Sequence, residues 1–252
     1  MNTSYFRFYA ELNDYLPADW RYKRFPYQYE NHQTIKHLIE SWGVPHTQVG
    51  LILINGISVA FSSRVADGLH VSVFPYFSRF KINELSKVLS PEIKTYRFIN
   101  DGHLGKLTTY MRLLGLDVLY RNNFSDKELV EIAITKGRIL LTRDRNLLKR
   151  REVVYGYCIS TTEPREQLIE ILRRFHLTDK IHPFKRCPRC NGILKPIEKE
   201  KILHRLEPKT KRYYNEFKIC DSCSRIYWKG SHYGRITNFI KGVIQESKVK
   251  IY

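Results

Sequence analysis

No run of apolar residues in this chain approaches the roughly 18 needed to cross a bilayer, and the opening MNTSYFRFYAEL does not read as a signal peptide. Repeats and low-complexity tracts are absent too, which sets aside solenoids and flexible linkers. Cysteine is scarce: five in 252 residues, four of them in two C-x-x-C pairs. That usage suits a reduced compartment and a metal rather than a disulfide framework. Acidic side chains are also few, 25 against 43 Lys and Arg, so the chain carries a net charge of +18. What is present is apolar and aromatic matter, 42% and 13%, enough to exclude a disordered chain. The length is more than one ordinary core needs. The expectation is a soluble, cytoplasmic, multidomain protein with a polyanionic partner and no membrane association.

The positive charge is graded. Residues 1–80 carry a net +1, residues 81–180 a net +6 and residues 181–252 a net +11. A solubility charge has no reason to be distributed this way. A gradient reads as a footprint for phosphate at the C-terminal end, with a solvated basic surface as the plainer explanation.

Ser4–Tyr9 alternates as an aromatic strand, with Arg21–Tyr29 as its hairpin partner. Thr34 precedes a short amphipathic helix, Ile35–Trp42, ended by Gly43. Val49–Ile54 is an apolar strand, Asn55-Gly56 a tight turn, Ile57–Ala60 its return, and Leu69–Phe74 the closing strand. This order is a β-grasp pattern. It resembles the ubiquitin-like and sulfur-carrier families at Asn55, Gly56, Val59, Asp67, Gly68, Val71 and Pro75. A sulfur carrier needs a free Gly-Gly carboxylate, whereas this chain runs on from Pro75, so thiolation is excluded. Residues 1–78 are expected to be a ubiquitin-like positioning domain, a surface for a protein partner, followed by a linker over 79–95 that includes a helix-like stretch, Ile82–Leu89.

Residues 96–180 alternate strand and helix. Strand Tyr96–Ile99 ends in Asn100-Asp101-Gly102, and helix Leu104–Leu114 carries a stripe of Leu104, Leu107, Met111 and Leu114. Strand Asp117–Tyr120, helix Asp126–Lys136 capped by Ser125, strand Arg138–Thr142, strand Val153–Ile159 and helix Pro164–Phe175 follow. Such alternation gives a parallel sheet whose ligands sit at the carboxyl ends of its strands. Asp101 and Asp144 lie at two such ends, and Asp126 opens a helix near the same edge. Three carboxylates there would suit Mg²⁺ or Mn²⁺, which take oxygen ligands and activate water. Asp117 and Glu128 are reserve ligands. Each aspartate also has a plainer reading: Asp101 as turn chemistry, Asp126 at a helix N-terminus, Asp144 as a cap for Asn146–Lys149. Arg145, flanking Asp144, fits a role in phosphate or transition-state charge, and Lys106, Arg112 and Arg143 could clamp phosphate.

Cys187-Pro-Arg-Cys190 and Cys220-Asp-Ser-Cys223 are two knuckles separated by 29 residues. Together they make a closed tetrahedral Zn²⁺ site with no open position, hence structural. Hairpin strands Ile193–Lys199 and Lys218–Ile219 complete a zinc ribbon over 181–235, followed by a basic tail over 236–252. Cys158 lies in an apolar strand and reads as a core residue. Arg189, Lys211, Arg212, His232 and Arg235 are candidate RNA contacts among exposed aromatics that could stack bases. The plainer reading of Tyr227 and Trp228 is that they pack the ribbon's own small core, Trp228 above all.

The stretches FINDGHLGKLTTYMRLLGLDVLY and SDKELVEIAITKGRILLTRDRNLL, with the ribbon, resemble the Mut7-C family, a branch of the PIN-like nucleases. The resemblance covers residues 96–235, and members often carry an N-terminal ubiquitin-like domain. It implies an α/β PIN-like fold and a metal-dependent ribonuclease in which Asp101, Asp126 and Asp144 are the metal-binding acidic set. A fourth acidic residue, common in PIN nucleases, has no counterpart that the sequence identifies. The rival readings are a non-catalytic RNA-binding protein on the same scaffold, and an adaptor that works through its β-grasp domain.

Overall fold

The computed structural model describes residues 2–30, 33–76, 85–88 and 95–248. In chain order the strands and helices are β1 (Asn2–Phe8), β2 (Phe25–Tyr29), α1 (Ile35–Ser41), β3 (Val49–Ile54), β4 (Ile57–Ser58) and β5 (His70–Pro75). Then come β6 (Arg97–Asn100), α2 (Gly105–Leu113), β7 (Asp117–Tyr120), α3 (Asp126–Thr135), β8 (Ile139–Thr142), α4 (Arg145–Leu148), β9 (Gly156–Cys158) and α5 (Pro164–Arg174). The C-terminal part contributes β10 (Leu194–Ile197), α6 (Pro208–Tyr213), β11 (Phe217–Cys220), β12 (Ile226–Trp228) and α7 (Tyr233–Lys248). The chain divides into two compact units, each made from two stretches: Met1–Thr95 with Ser125–Cys158, and Tyr96–Phe124 with Ile159–Tyr252. No helix among the described residues is long and apolar enough to cross a membrane.

In the first unit, the N-terminal sheet has the order β2-β1-β5-β3-β4. β1 pairs antiparallel with β2 and parallel with β5, the β-grasp arrangement expected from the sequence. Period-two alternation sends Phe6 and Phe8 of β1 inward, against Ile35, Leu38 and Ile39 on the buried face of α1. Trp42 seals that core edge-on, its ring 4.8 Å from Phe6 and 4.7 Å from Tyr27. Thr34 caps α1 by accepting the His37 N–H. Asn55 and Gly56 both take positive φ, as a tight hairpin turn requires. The first strand's partner begins only at Phe25, because residues 10–15 and 18–20 wind into 3-10 turns. The same unit holds β8 and β9, paired in parallel from Leu140↔Gly156 to Thr142↔Cys158, with β8 buried throughout. The 3-10 turn His46–Gln48 reaches this pair: Gln48 Nε2 donates to the Gly156 carbonyl at 3.2 Å, and His46 Nε2 lies 2.9 Å from the Val153 carbonyl oxygen. The β-grasp layer therefore has polar contacts to the backbone at and just ahead of β9. The helix-like stretch Ile82–Leu89 and the linker around it fall mostly outside the described residues.

In the second unit, β6 and β7 pair in parallel from Arg97↔Asp117 to Asn100↔Tyr120. The α2 stripe is buried as expected, with Leu104, Leu107, Met111 and Leu114 all at 1% exposure or less. Gly115 ends that helix at φ +85, and a Cβ there would collide with the His182 carbonyl. That close approach lets His182 and Phe184 donate to the Leu114 and Leu113 carbonyls, so the entry to the ribbon lies on the end of α2. The ribbon is a three-stranded antiparallel sheet, β10-β11-β12, where two strands were expected. Residues 236–252 were read as a basic tail. Through Lys248 they instead continue helix α7, which buries Ile240 and Val243 and packs on α5. The remaining residues, 249–252, lie outside the described part.

Candidate metal centre and the acidic strand ends

Each knuckle is a turn that aims two sulfurs the same way. Asn191 donates its N–H to the Cys187 carbonyl and Ser224 donates to the Cys220 carbonyl, both at positive φ. Gly192 leaves room for the second knuckle, since a Cβ there would stand 2.7 Å from Cys220 Sγ. The four sulfurs come within 4.8 Å of one another, with 3.7 Å between Cys187 and Cys223 and 3.4 Å between Cys190 and Cys220. A tetrahedron with Zn–S bonds of about 2.3 Å has sulfur edges of about 3.8 Å, so the thiols fit zinc closely. Among the described residues this is the one group of three or more Cys, His, Asp or Glu gathered within reach of one ion.

The electrostatics point the same way. Burial opposes ionisation of Cys187, but the Tyr227 hydroxyl and the N–H groups of Cys190 and Arg189 overcome it and bring the thiol down to about 7. Burial and the neighbouring thiols push Cys190 up to about 12. Four thiols in so small a space cannot all ionise unless a cation compensates them. Tyr227 is pushed above its usual value by burial and by the Cys187 sulfur, 3.0 Å from its hydroxyl. The ribbon's own small core thus takes Tyr227, while Trp228 stays 40% exposed, the reverse of the emphasis expected.

Arg112 corrects an expectation. Read as a phosphate clamp, it is 4% exposed. Its Nε and Nη2 donate to the Val118 carbonyl at 3.0 and 2.8 Å, and its Nη1 donates to Arg189 at 2.9 Å and Pro188 at 3.3 Å. Burial pulls its guanidinium below the usual value, against the opposing pull of Cys190, Cys187 and Asp117. It joins the first knuckle to α2 and β7. Asp117, a reserve ligand, belongs to the same joint: its carboxylate accepts from Asn191 Nδ2 at 2.9 Å and from Arg186 at 3.2 Å. It stands at the amino end of β7, opposite the ligand edge. Glu128, the other reserve, closes a capping box with Ser125. Asn191 also accepts the Val118 N–H at 3.0 Å, a role that its Cys-Asn-Gly turn did not advertise.

The remaining candidates are distributed between the units. Asp101 follows β6 in the second unit, and its carboxylate does not cap the 3-10 turn it precedes. Beside it, Asn100 Oδ1 is fully buried with no hydrogen-bond partner among the described residues. Asp126 and Asp144 belong to the first unit, where Asp126 lies 3.6 Å from Arg150. Asp144 Oδ1 caps α4 by accepting the Asn146 N–H at 2.7 Å. Arg145 is exposed, with its guanidinium 4.6 Å over the Tyr15 ring. Arg143, Lys106, Arg189 and Arg212 are exposed, and Lys211 is half-buried. His232 and Arg235 bond to each other at 2.5 Å across the start of α7.

Comparison with known proteins returns two family models. The Mut7-C ubiquitin model matches residues 1–81 and the Mut7-C RNAse domain model matches residues 96–240. Neither a curated protein nor a solved structure gives a significant match. The RNAse domain model spans more than half of the chain and takes in the parallel strand pairs and the four-cysteine ribbon, so the chain belongs to the Mut7-C RNAse domain family.

Proposed function

We propose that this protein is a metal-dependent ribonuclease whose Asp101, Asp126 and Asp144 hold Mg²⁺ or Mn²⁺, while zinc on Cys187, Cys190, Cys220 and Cys223 is structural. The observation that carries the reading is the position of two aspartates just past parallel strands, β6 and β8, in a chain of an RNAse-domain family. The donor chemistry supports it. The buried Asn100 oxygen beside Asp101, without a partner among the described residues, is a donor of the kind a hard divalent cation takes. When bound, such an ion activates water and offsets charge on a phosphodiester undergoing in-line displacement. Arg145 would meet the phosphate charge beside it, held in place by the Tyr15 ring.

A second reading has its own support. Asp144 serves as a helix cap and Asp126 lies near Arg150, as in a non-catalytic RNA-binding protein that keeps the scaffold. The β-grasp domain would recruit a protein partner in either case. A cleavage assay on single-stranded RNA and DNA, with and without Mn²⁺, separates the two. Mn²⁺-dependent cleavage that disappears in Asp101→Asn and Asp144→Asn supports the nuclease. Binding indifferent to divalent ions, without cleavage, supports the binder.

A further inference from the structure

The ribbon and the start of α7 line an open groove of about 830 Å³ that the catalytic proposal does not use. Its size is that of a ligand site rather than a packing fault. Phe184, Leu194, Ile197, Phe217, Trp228 and Tyr233 supply an apolar lining. Phe184 and Tyr233 stack on each other at 4.9 Å, presenting a double aromatic layer. Trp228 is different. Its nearest aromatic neighbours, Phe217 and Tyr214, are tilted by 53° and 49°, so neither stacks flat on the indole, which stays 40% exposed.

The polar members of the lining are lopsided in charge. Arg186, Lys218 and Lys229 line the groove with one carboxylate, Glu216, which pairs with Lys229 at 2.6 Å, while Arg186 pairs with Asp117 outside the lining and Lys218 has no carboxylate beside it among the described residues. The surrounding segment, residues 181–252, has 17 basic and 6 acidic side chains. An apolar peptide would fill the groove but offer Lys218, whose ammonium donates to the Phe184 carbonyl at 3.2 Å, no counter-charge. A single nucleic-acid strand answers both features at once, with flat bases for the aromatic lining and phosphates for the rim. A duplex cannot, because its bases are stacked and paired.

We propose that this groove is a nucleobase subsite, in which an unpaired base of single-stranded RNA stacks on Trp228 while its neighbouring phosphates lie along Lys218 and His232. The proposal rests on the RNA reading above and adds selection for unpaired strands at a place separate from the aspartates. The test uses the full-length protein without added divalent ions and a single strand of about twelve nucleotides, long enough to span such a groove, carrying 5-iodouridine. Photo-crosslinks are expected on residues 226–233, centred on Trp228. Trp228→Ala should weaken single-strand binding about tenfold, Trp228→Phe should restore most of it, and affinity for the matching duplex should not change. The wild-type crosslink decides the matter if Trp228→Ala loses zinc or fails to fold. Crosslinks confined to other segments, or an apolar peptide that occupies the groove without displacing the strand, would overturn the subsite and leave the RNA reading standing. A protein that binds no RNA at all would overturn both.

Discussion

Arg112 is one residue whose role can be stated in atoms. Its fork reaches three backbone carbonyls, one on β7 and two in the first knuckle. Arg112→Met would leave those carbonyls buried and unmatched, which we expect to lower stability by about 3 kcal/mol and loosen the zinc site. Arg112→Lys should not rescue it, because an ammonium cannot span the fork. Thermal melting and zinc release to a chelator would check this; a stable variant with weakened RNA binding would return Arg112 to the phosphate surface. The sequence concealed this role because two of the three accepting carbonyls lie 76 and 77 residues away. The Ser125–Glu128 capping box, by contrast, is closed within one turn, and its Ser125 cap was legible for that reason. The four cysteines of the candidate metal centre were legible as well, since each knuckle is a local turn whose two cysteines announce the site.

Among the elements, those with a local signal matched their expected spans: α1, α2, α3 and α5 within two residues at each end, and β7 at both. Helix α7 did not, because its basic surface masked the spacing of Ile236, Ile240, Val243 and Ser247. Val243 is fully buried, so Val243→Ala should lower stability by about 1–3 kcal/mol in a melting experiment, whereas a solvated tail would register no change. Docking of the β-grasp layer through His46 and Gln48 was also beyond the sequence, since both acceptors are backbone carbonyls of another segment. That docking changes how an adaptor role should be tested. Deleting residues 1–78 would remove the contacts of His46 and Gln48 together with any surface for a partner. Ile57 on β4 is 69% exposed, and Ile57→Glu alters that surface alone. Cleavage of free RNA by the purified variant should match the parent; a loss would show that the β-grasp edge serves the reaction itself.

For the molecule as a whole, the charge gradient gives a quantitative expectation. Each phosphate neutralised on a single strand should contribute about 0.7 to the slope of log affinity against log salt concentration. Arg189→Ala with Arg212→Ala should flatten that slope, and an unchanged slope would move the RNA surface away from the ribbon. The metal-dependent reaction is tested by Mn²⁺-dependent cleavage of single-stranded RNA by Asp144→Asn beside the parent protein. Asparagine caps a helix about as well as aspartate, so melting temperatures should nearly coincide. If the aspartates hold the ion, cleavage falls by orders of magnitude while RNA binding persists. Wild-type cleavage by the variant, or no cleavage by the parent with Mn²⁺, would contradict it.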